Sequence, residues 1–316
     1  MKRGVNTMYL GVIAQIPQRL GIESSKYCQL RCVKCPTGLQ MDMGEKGYLS
    51  FDHFKALLCE LSGFNGTITF SNWGEPFLNK ELFKILLLAT QNGIRTTASS
   101  NLCHKDPDFA KNIVASGIHK ITVGIDGATE ETYLKYRRNG DWATVMANIE
   151  NINAEKKKLG TDKPELVWQI ILTKYNEHEV EMAKELAEER GMAFKIKPLR
   201  QSNVKEVSSE DWQPSATAMR KYFSSFEKKH QRKQGILRCQ DLWMRPSIDW
   251  NGDVYPCCIV KEKKYSMGNA FQNGFLSIWN SIKYQESRKL ILDQNYHTDL
   301  ELACENCPNR CGIKEW

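Results

Sequence analysis

The chain has no apolar run approaching the ~18 residues that cross a membrane. Its first twenty residues, MKRGVNTMYLGVIAQIPQRL, hold only the short apolar patch MYLGVIA and no small-residue cleavage site, so no secretory signal is expected. Long runs of one charge are also missing. The longest basic runs, EKKK at 155–158 and KEKK at 261–264, both contain acids. A net charge of +7 over 316 residues permits an anionic ligand without demanding nucleic acid. No membrane and no nucleic-acid partner are expected, and the expected compartment is the cytoplasm. Thiols stay reduced there, so the eleven cysteines point to metal more than to disulfides.

Hydrophobic residues make up 41% and charged residues 26%, enough apolar matter for a sizeable core. Short β-rich runs alternate with amphipathic helical ones. The runs at 19–25, 67–73, 94–101, 120–127, 165–174 and 193–199 read as strands, and helical patterns such as FDHFKALLCEL, KELFKILLLATQNG and DWATVMANIENINAEKKKLG lie between them. About six βα units predict an α/β fold: an open, partial (β/α)6 barrel related to the eight-stranded TIM barrel. Residues 201–236 break the rhythm with Ser, Pro and charge, apart from one helical stretch around 217–229. The expected layout is an N-terminal extension (1–18), the barrel (19–200), a linker (201–236) and a small cysteine-rich unit of hairpin plus helix (237–316).

Three cysteines, Cys28, Cys32 and Cys35, fall just after the first strand, on the face where such sheets gather ligands. Four thiolates would saturate a structural zinc or an iron–sulfur cube. Three on a [4Fe–4S] cube leave one iron open for a small chelating molecule. A zinc site borrowing a distant fourth ligand is the alternative. Cys59, within a helical pattern, reads as a small buried apolar residue, and Cys103 as structural.

The triplet Cys-x-x-x-Cys-x-x-Cys resembles the signature of the radical S-adenosylmethionine (SAM) superfamily, and further motifs agree in order. NWGEP supplies Gly74, Glu75 and Pro76, which the resemblance assigns to the amino group of the SAM methionine. ASSN places Ser99, Ser100 and Asn101 where polar contacts to ribose or carboxylate are implied. VGIDGATEETYLKYR supplies Asp126 and Arg137, the latter suited to a bidentate pair with the SAM carboxylate. LTKYN puts Asn176 near the ribose or adenine. Two positions depart from the pattern: Gly124 stands for the usual Ser, and Lys34 for a frequent aromatic residue. Alone, a Gly-Glu-Pro or an Asp-Gly is a turn and an Arg a surface charge; their order behind the triplet raises them.

In the C-terminal unit, SIDWNGDVYP reads as a hairpin around an Asn-Gly turn. Cys239 precedes it, Cys257 follows it, and CENCPNRC adds Cys304, Cys307 and Cys311. This spacing resembles the auxiliary iron–sulfur domains called twitch and SPASM. The resemblance implies that Cys239, Cys257, Cys304 and Cys307 hold a second, auxiliary [4Fe–4S] cluster. A zinc ribbon would use two Cys-x-x-Cys knuckles, and one is present. Cys258 and Cys311 are surplus, as alternative ligands, a hydrogen-atom donor or, for Cys258, packing.

The resemblance implies an oxidoreductase. An external one-electron donor of flavodoxin or ferredoxin type reduces the first cluster, SAM is cleaved to a 5′-deoxyadenosyl radical, and the radical takes a hydrogen atom from the substrate. The spacing of the auxiliary cysteines resembles that of dehydrogenases acting on a cyclitol alcohol, which favours a small sugar-like substrate. Peptide or protein modification, a redox-neutral epimerisation and a non-catalytic electron carrier are the alternatives. No residue stands out as the base that would accept the substrate's proton.

Overall fold

The computed structural model describes residues 12–199, 210–231, 239–260, 262–293 and 295–307. Cys311, the start of the N-terminal extension and parts of the expected linker lie outside them.

Six strands follow the expected alternation: β1 (Arg19–Ile22), β2 (Thr67–Phe70), β3 (Arg95–Ser100), β4 (Lys120–Gly124), β5 (Glu165–Leu172) and β6 (Ala193–Pro198). Between them run α1 (Phe51–Glu60), α2 (Leu82–Gln91), α3 (Phe109–Ala115), α4 (Glu130–Tyr136), α5 (Trp142–Lys158) and α6 (Val180–Glu189). Neighbouring strands from β1 to β6 pair parallel and in sequence order, as a barrel segment built from βα units requires. The helical stretch expected in the linker is α7 (Ala216–Gln231). The first strand ends at Ile22, earlier than its sequence pattern suggested.

Local chemistry sets the helix ends. Ser50, Thr129 and Asp141 cap α1, α4 and α5 by accepting the backbone N–H of His53, Thr132 and Thr144, each worth about 1 kcal/mol. The basic run at 156–158 is the last turn of α5, where cations complement the helix dipole. Cys59 corrects an expectation. It is exposed, because the inward stripe of α1 runs through Phe54 and Leu57 and leaves position 59 on the solvent side.

The two faces of the sheet differ in chemistry. Ile68, Phe70, Ala98, Ile121 and Val123 face the helices and belong to the main core. The alternate positions, which line the barrel lumen, include Thr69, Thr97, Ser99 and Thr122, with Val167, Gln169 and Ile171 on β5. Thr69 and Thr97 share a hydrogen bond of 2.9 Å across the strands. A closed barrel would fill this space with branched apolar side chains; hydroxyls on β2 to β4 make this part of it polar.

The C-terminal unit continues the same sheet. After α8 (Asp241–Met244), β7 (Ser247–Ile248) pairs parallel with β1, and the hairpin to β8 (Asp253–Tyr255) and β9 (Gly268–Asn269) extends it to nine strands. The Asn251–Gly252 turn is present, with Gly252 at φ +91° as the turn demands. Helices α9 (Ala270–Asn273), α10 (Phe275–Trp279) and α11 (Ile282–Leu292) follow. The Glu60 carboxylate of α1 caps α10 by accepting Phe275 and Leu276 N–H at 2.8 Å each, so the second unit is docked on the barrel by a charged cap as well as by the sheet.

A buried charged cluster marks the β1–β7 seam. Lys26 Nζ lies 2.9 Å from Asp249 and 3.8 Å from Glu23, and all three side chains are buried. Burial, then the Asp249 charge, pushes the Glu23 carboxyl up to about 8. Burial also raises the Asp249 carboxyl, while the Lys26 charge opposes that rise. Lys26 is raised: its two carboxylate neighbours outweigh the desolvation that would lower it. A carboxyl raised on folding gives stability that is complete below the ordinary carboxyl range and lost as pH climbs toward about 8. Glu23→Gln keeps the shape without the titration. Its anaerobic melting temperature should gain on wild type between pH 5 and pH 8. Parallel curves for the two proteins would show that Glu23 carries its charge in the fold at no cost.

Candidate metal centre and SAM site

The cysteine loop leaves β1 and folds on itself. Cys35 N–H donates to the Cys32 carbonyl at 3.2 Å, and a Cβ on Gly38 would lie 2.6 Å from Cys32 backbone atoms, so only glycine closes this turn. Leu30, Cys32 and Val33 pack with Tyr136, Leu199 and Trp212, with Cys28 and Cys35 against the same cluster. Trp212 lies in the expected linker, so part of that segment covers the loop.

The motifs selected from sequence converge around this loop. Glu75 N–H donates to the Tyr27 carbonyl at 2.7 Å, and a Cβ on Gly74 would come within 2.0 Å of the Ser25 carbonyl oxygen. The Glu75 carboxylate is itself held. It accepts Ser100 Oγ–H at 2.7 Å, Asn101 N–H at 2.8 Å and Phe77 N–H at 3.2 Å, which uses Pro76 as the start of a short 3-10 turn. Asn101 Nδ2 reaches Cys28 Sγ at 3.8 Å. Ser99 is exposed to the lumen, whereas Ser100 is buried against Glu75.

Arg137 is the residue just past α4, and leaving the helix lets its side chain turn back to the sheet. Its guanidinium pairs with Asp126 through two contacts of 2.6 Å, and Nη1 stands 3.7 Å from Cys32 Sγ. Gly124 now has a reason: a Cβ there would meet Arg137 Nη2 at 2.2 Å. The missing serine is replaced by space for the guanidinium. Asp126, at φ +60°, also accepts Ile171 N–H at 2.6 Å. Asn176 spends its amide on the backbone, donating to Asp126 and Ile171 carbonyls and accepting Thr173 N–H. In the structure Asp126 holds Arg137, and Asn176 ties the Asp126 backbone to the end of β5.

The second thiol set forms where α8, the hairpin and the chain end meet. Cys304 is buried, and the thiols of Cys239, Cys257 and Cys307 are the neighbours that act on it after burial itself. Burial pushes Cys257 up to about 12, and Cys28 in the first set to about 12. Thiols so desolvated stay protonated until a metal replaces the proton. Sets of buried thiols match the soft donors an iron–sulfur cluster takes. Among the described residues no three His, Cys, Asp or Glu side chains are grouped to hold a single ion. A cube takes its thiolates at separate corners, so its ligands stand wider apart than those of one zinc.

Several participants were not visible in sequence. Gln29 donates to Asn101 Oδ1 and to the Cys103 carbonyl, bracing the cysteine loop against the end of β3. Trp212 stacks edge-on with Tyr136 and Tyr175. Nothing local in the sequence signals either contact.

Residues 22–190 match the family profile of the radical SAM superfamily, and residues 239–308 match SPASM, an iron–sulfur cluster-binding domain. The chain belongs to the radical SAM superfamily. With membership come SAM and its [4Fe–4S] cluster in the barrel and an iron–sulfur cluster in the C-terminal unit. The chain is similar to the AdoMet-dependent heme synthase of Methanosarcina barkeri, 27% identical over 205 residues, covering 62% of this chain and 56% of that one. The chain spans about half the length of this synthase and of the similar GTP 3',8-cyclase of Saccharophagus degradans. Its fold is similar to that of BtrN in complex with AdoMet and 2-DOIA (TM-score 0.57, 16% identity, 93% of this chain and 94% of that one). It is also similar to Streptococcus suis SuiB bound to the precursor peptide SuiA (TM-score 0.64, 13% identity, 90% and 68%). Among the described residues no helix is long and apolar enough to cross a membrane.

Proposed function

We propose that this radical SAM enzyme oxidises a small, hydroxyl-bearing substrate. Cys28, Cys32 and Cys35 hold the cluster that binds SAM, and Cys239, Cys257, Cys304 and Cys307 hold the auxiliary one. The observation that supports the reading is that one continuous sheet joins the barrel, with its cysteine loop after β1, to the hairpin of the unit that carries the other four cysteines. When bound, the first cluster with SAM supplies a radical able to take a hydrogen atom, and the auxiliary cluster supplies a sink for one electron.

The chain's own residues do the rest. The Gly74–Pro76 turn, anchored on Tyr27 and Ser25, offers backbone carbonyls and the Glu75 carboxylate to the SAM amino group. Arg137, held by Asp126 through one edge, presents Nη1 toward the cysteine loop and the SAM carboxylate. Ser99, Ser100, Asn101 and Asn176 complete or brace that pocket. Thr69, Thr97, Ser99, Thr122 and Gln169 give the lumen donors and acceptors suited to a polyol. The match to BtrN over nearly the whole of both chains supports the small-substrate reading. A peptide substrate is the second reading, favoured by the likeness to SuiB, whose solved complex contains a precursor peptide.

The test is an anaerobic assay with dithionite, SAM and C-deuterated cyclitols and sugars. Deuterium appearing in 5′-deoxyadenosine together with a ketone product is the expected result. Transfer only from a peptide would replace the first reading with the second.

A further inference from the structure

Helix α11 turns three side chains inward at i, i+3 and i+4: Tyr284, Ser287 and Arg288, each 0% exposed. Arg288 is bonded entirely to neutral acceptors. Its guanidinium donates to the carbonyls of Leu242 (3.0 Å), Val12 (2.9 Å) and Trp279 (2.8 Å) and to Asn280 Oδ1 (2.7 Å). It stacks over Trp279 at 4.7 Å and Tyr284 at 5.1 Å. Among the described residues no carboxylate pairs with it. A buried cation without an anion is among the costlier things a fold can contain, so a missing anion should be sought nearby.

The Arg288 partner Leu242 lies three residues after Cys239, and Leu242, Tyr284 and Cys304 pack in the same core. The Tyr284 ring stacks with Arg288, and its hydroxyl donates to the carbonyl of Tyr255 at 3.2 Å, two residues before Cys257. The Ser287 hydroxyl is buried with no hydrogen-bond partner, and the Cys304 thiol is among its neighbours. A cube ligated by four thiolates carries net negative charge, and more once reduced. Net charge and hydrogen bonds to sulfur are two of the levers that set its potential.

We propose that Arg288 and Ser287 are the electrostatic counterpart of the auxiliary cluster: the guanidinium supplies the positive charge its ligand set lacks, the serine hydroxyl donates to the Cys304 sulfur, and together they raise its reduction potential so that it accepts an electron. This rests on the assignment of Cys239, Cys257, Cys304 and Cys307 as ligands. The two residues are positioning groups that act through the cluster.

The test is an anaerobic redox titration, followed by electron paramagnetic resonance, in the Cys28→Ala/Cys32→Ala/Cys35→Ala background, where the auxiliary cluster alone contributes. Iron content is measured first. Failure to load iron in that background would contradict the ligand assignment and is distinct from any shift in potential. In loaded protein, Arg288→Gln should shift the reduction equilibrium at least tenfold toward the oxidised form, about 59 mV for one electron. Ser287→Ala should shift it the same way by less, and Arg288→Lys should keep most of the parent potential. If Arg288→Gln does not load, the other two variants decide. An unchanged midpoint in Ser287→Ala, or Arg288→Lys departing from the parent potential as far as a neutral side chain would, overturns the proposal.

Discussion

Replacing Cys304 and Cys307 together by alanine should leave a protein that still cleaves SAM to 5′-deoxyadenosine with dithionite but forms no oxidised product. The reason is the separation of the two thiol sets. Cys304 and Cys307 belong to the C-terminal unit, and neither touches the loop around Cys32, whose neighbours are Tyr136, Leu199, Trp212 and Arg137. SAM binding and cleavage therefore survive. What is lost is the acceptor for the electron that must leave the substrate when an alcohol becomes a ketone. Full product from this variant would make the auxiliary cluster structural and favour a redox-neutral reaction. Buried Cys304 packs in the main core, so the variant's melting should be compared with wild type first. Single Cys307→Ser, at a less buried position, gives the same test with less disturbance.

The complementary change has an effect as large. Cys28→Ala, Cys32→Ala and Cys35→Ala together should halve the iron from about eight to about four per chain, four per cube, and abolish SAM cleavage. The auxiliary thiols share no packing with this loop and keep their metal. Iron falling to nothing would show that the two centres assemble as one unit, and zinc in place of iron would remove the redox chemistry altogether.

The features readable in sequence share one property: their chemistry is written within a few residues. The triplet at 28–35 and the pair Cys304 and Cys307 each sit in one loop, and Ile68 and Phe70 alternate with Thr67 and Thr69 as a half-buried strand must. The motif order also located the turn at Gly74, whereas the strand read over 120–127 ends earlier, at Gly124. What stayed hidden is tertiary. That β7 joins β1 in parallel is decided by chain segments more than 200 residues apart, and no local pattern announces it. Trp212 lies in a segment whose composition reads as linker, yet it packs on the cysteine loop. Arg288 looks like an ordinary helix charge until its four neutral partners are seen. Cys59 was misread because cysteine fits either face of an amphipathic helix, and only the positions of Phe54 and Leu57 say which face is buried. Gly124 is the instructive case. It departs from the family serine, and Arg137 fills the space a side chain there would need.

The most direct test of the two-centre account is electron paramagnetic resonance of the anaerobically reconstituted, dithionite-reduced protein, recorded with and without SAM. Two [4Fe–4S] signals are predicted. SAM should change the one that is missing in the Cys28/Cys32/Cys35 alanine variant, because that cluster keeps an iron without a protein ligand, and should leave the other untouched, because four cysteines close it. A single signal, or two signals that both respond to SAM, would contradict the division into a three-thiol and a four-thiol centre.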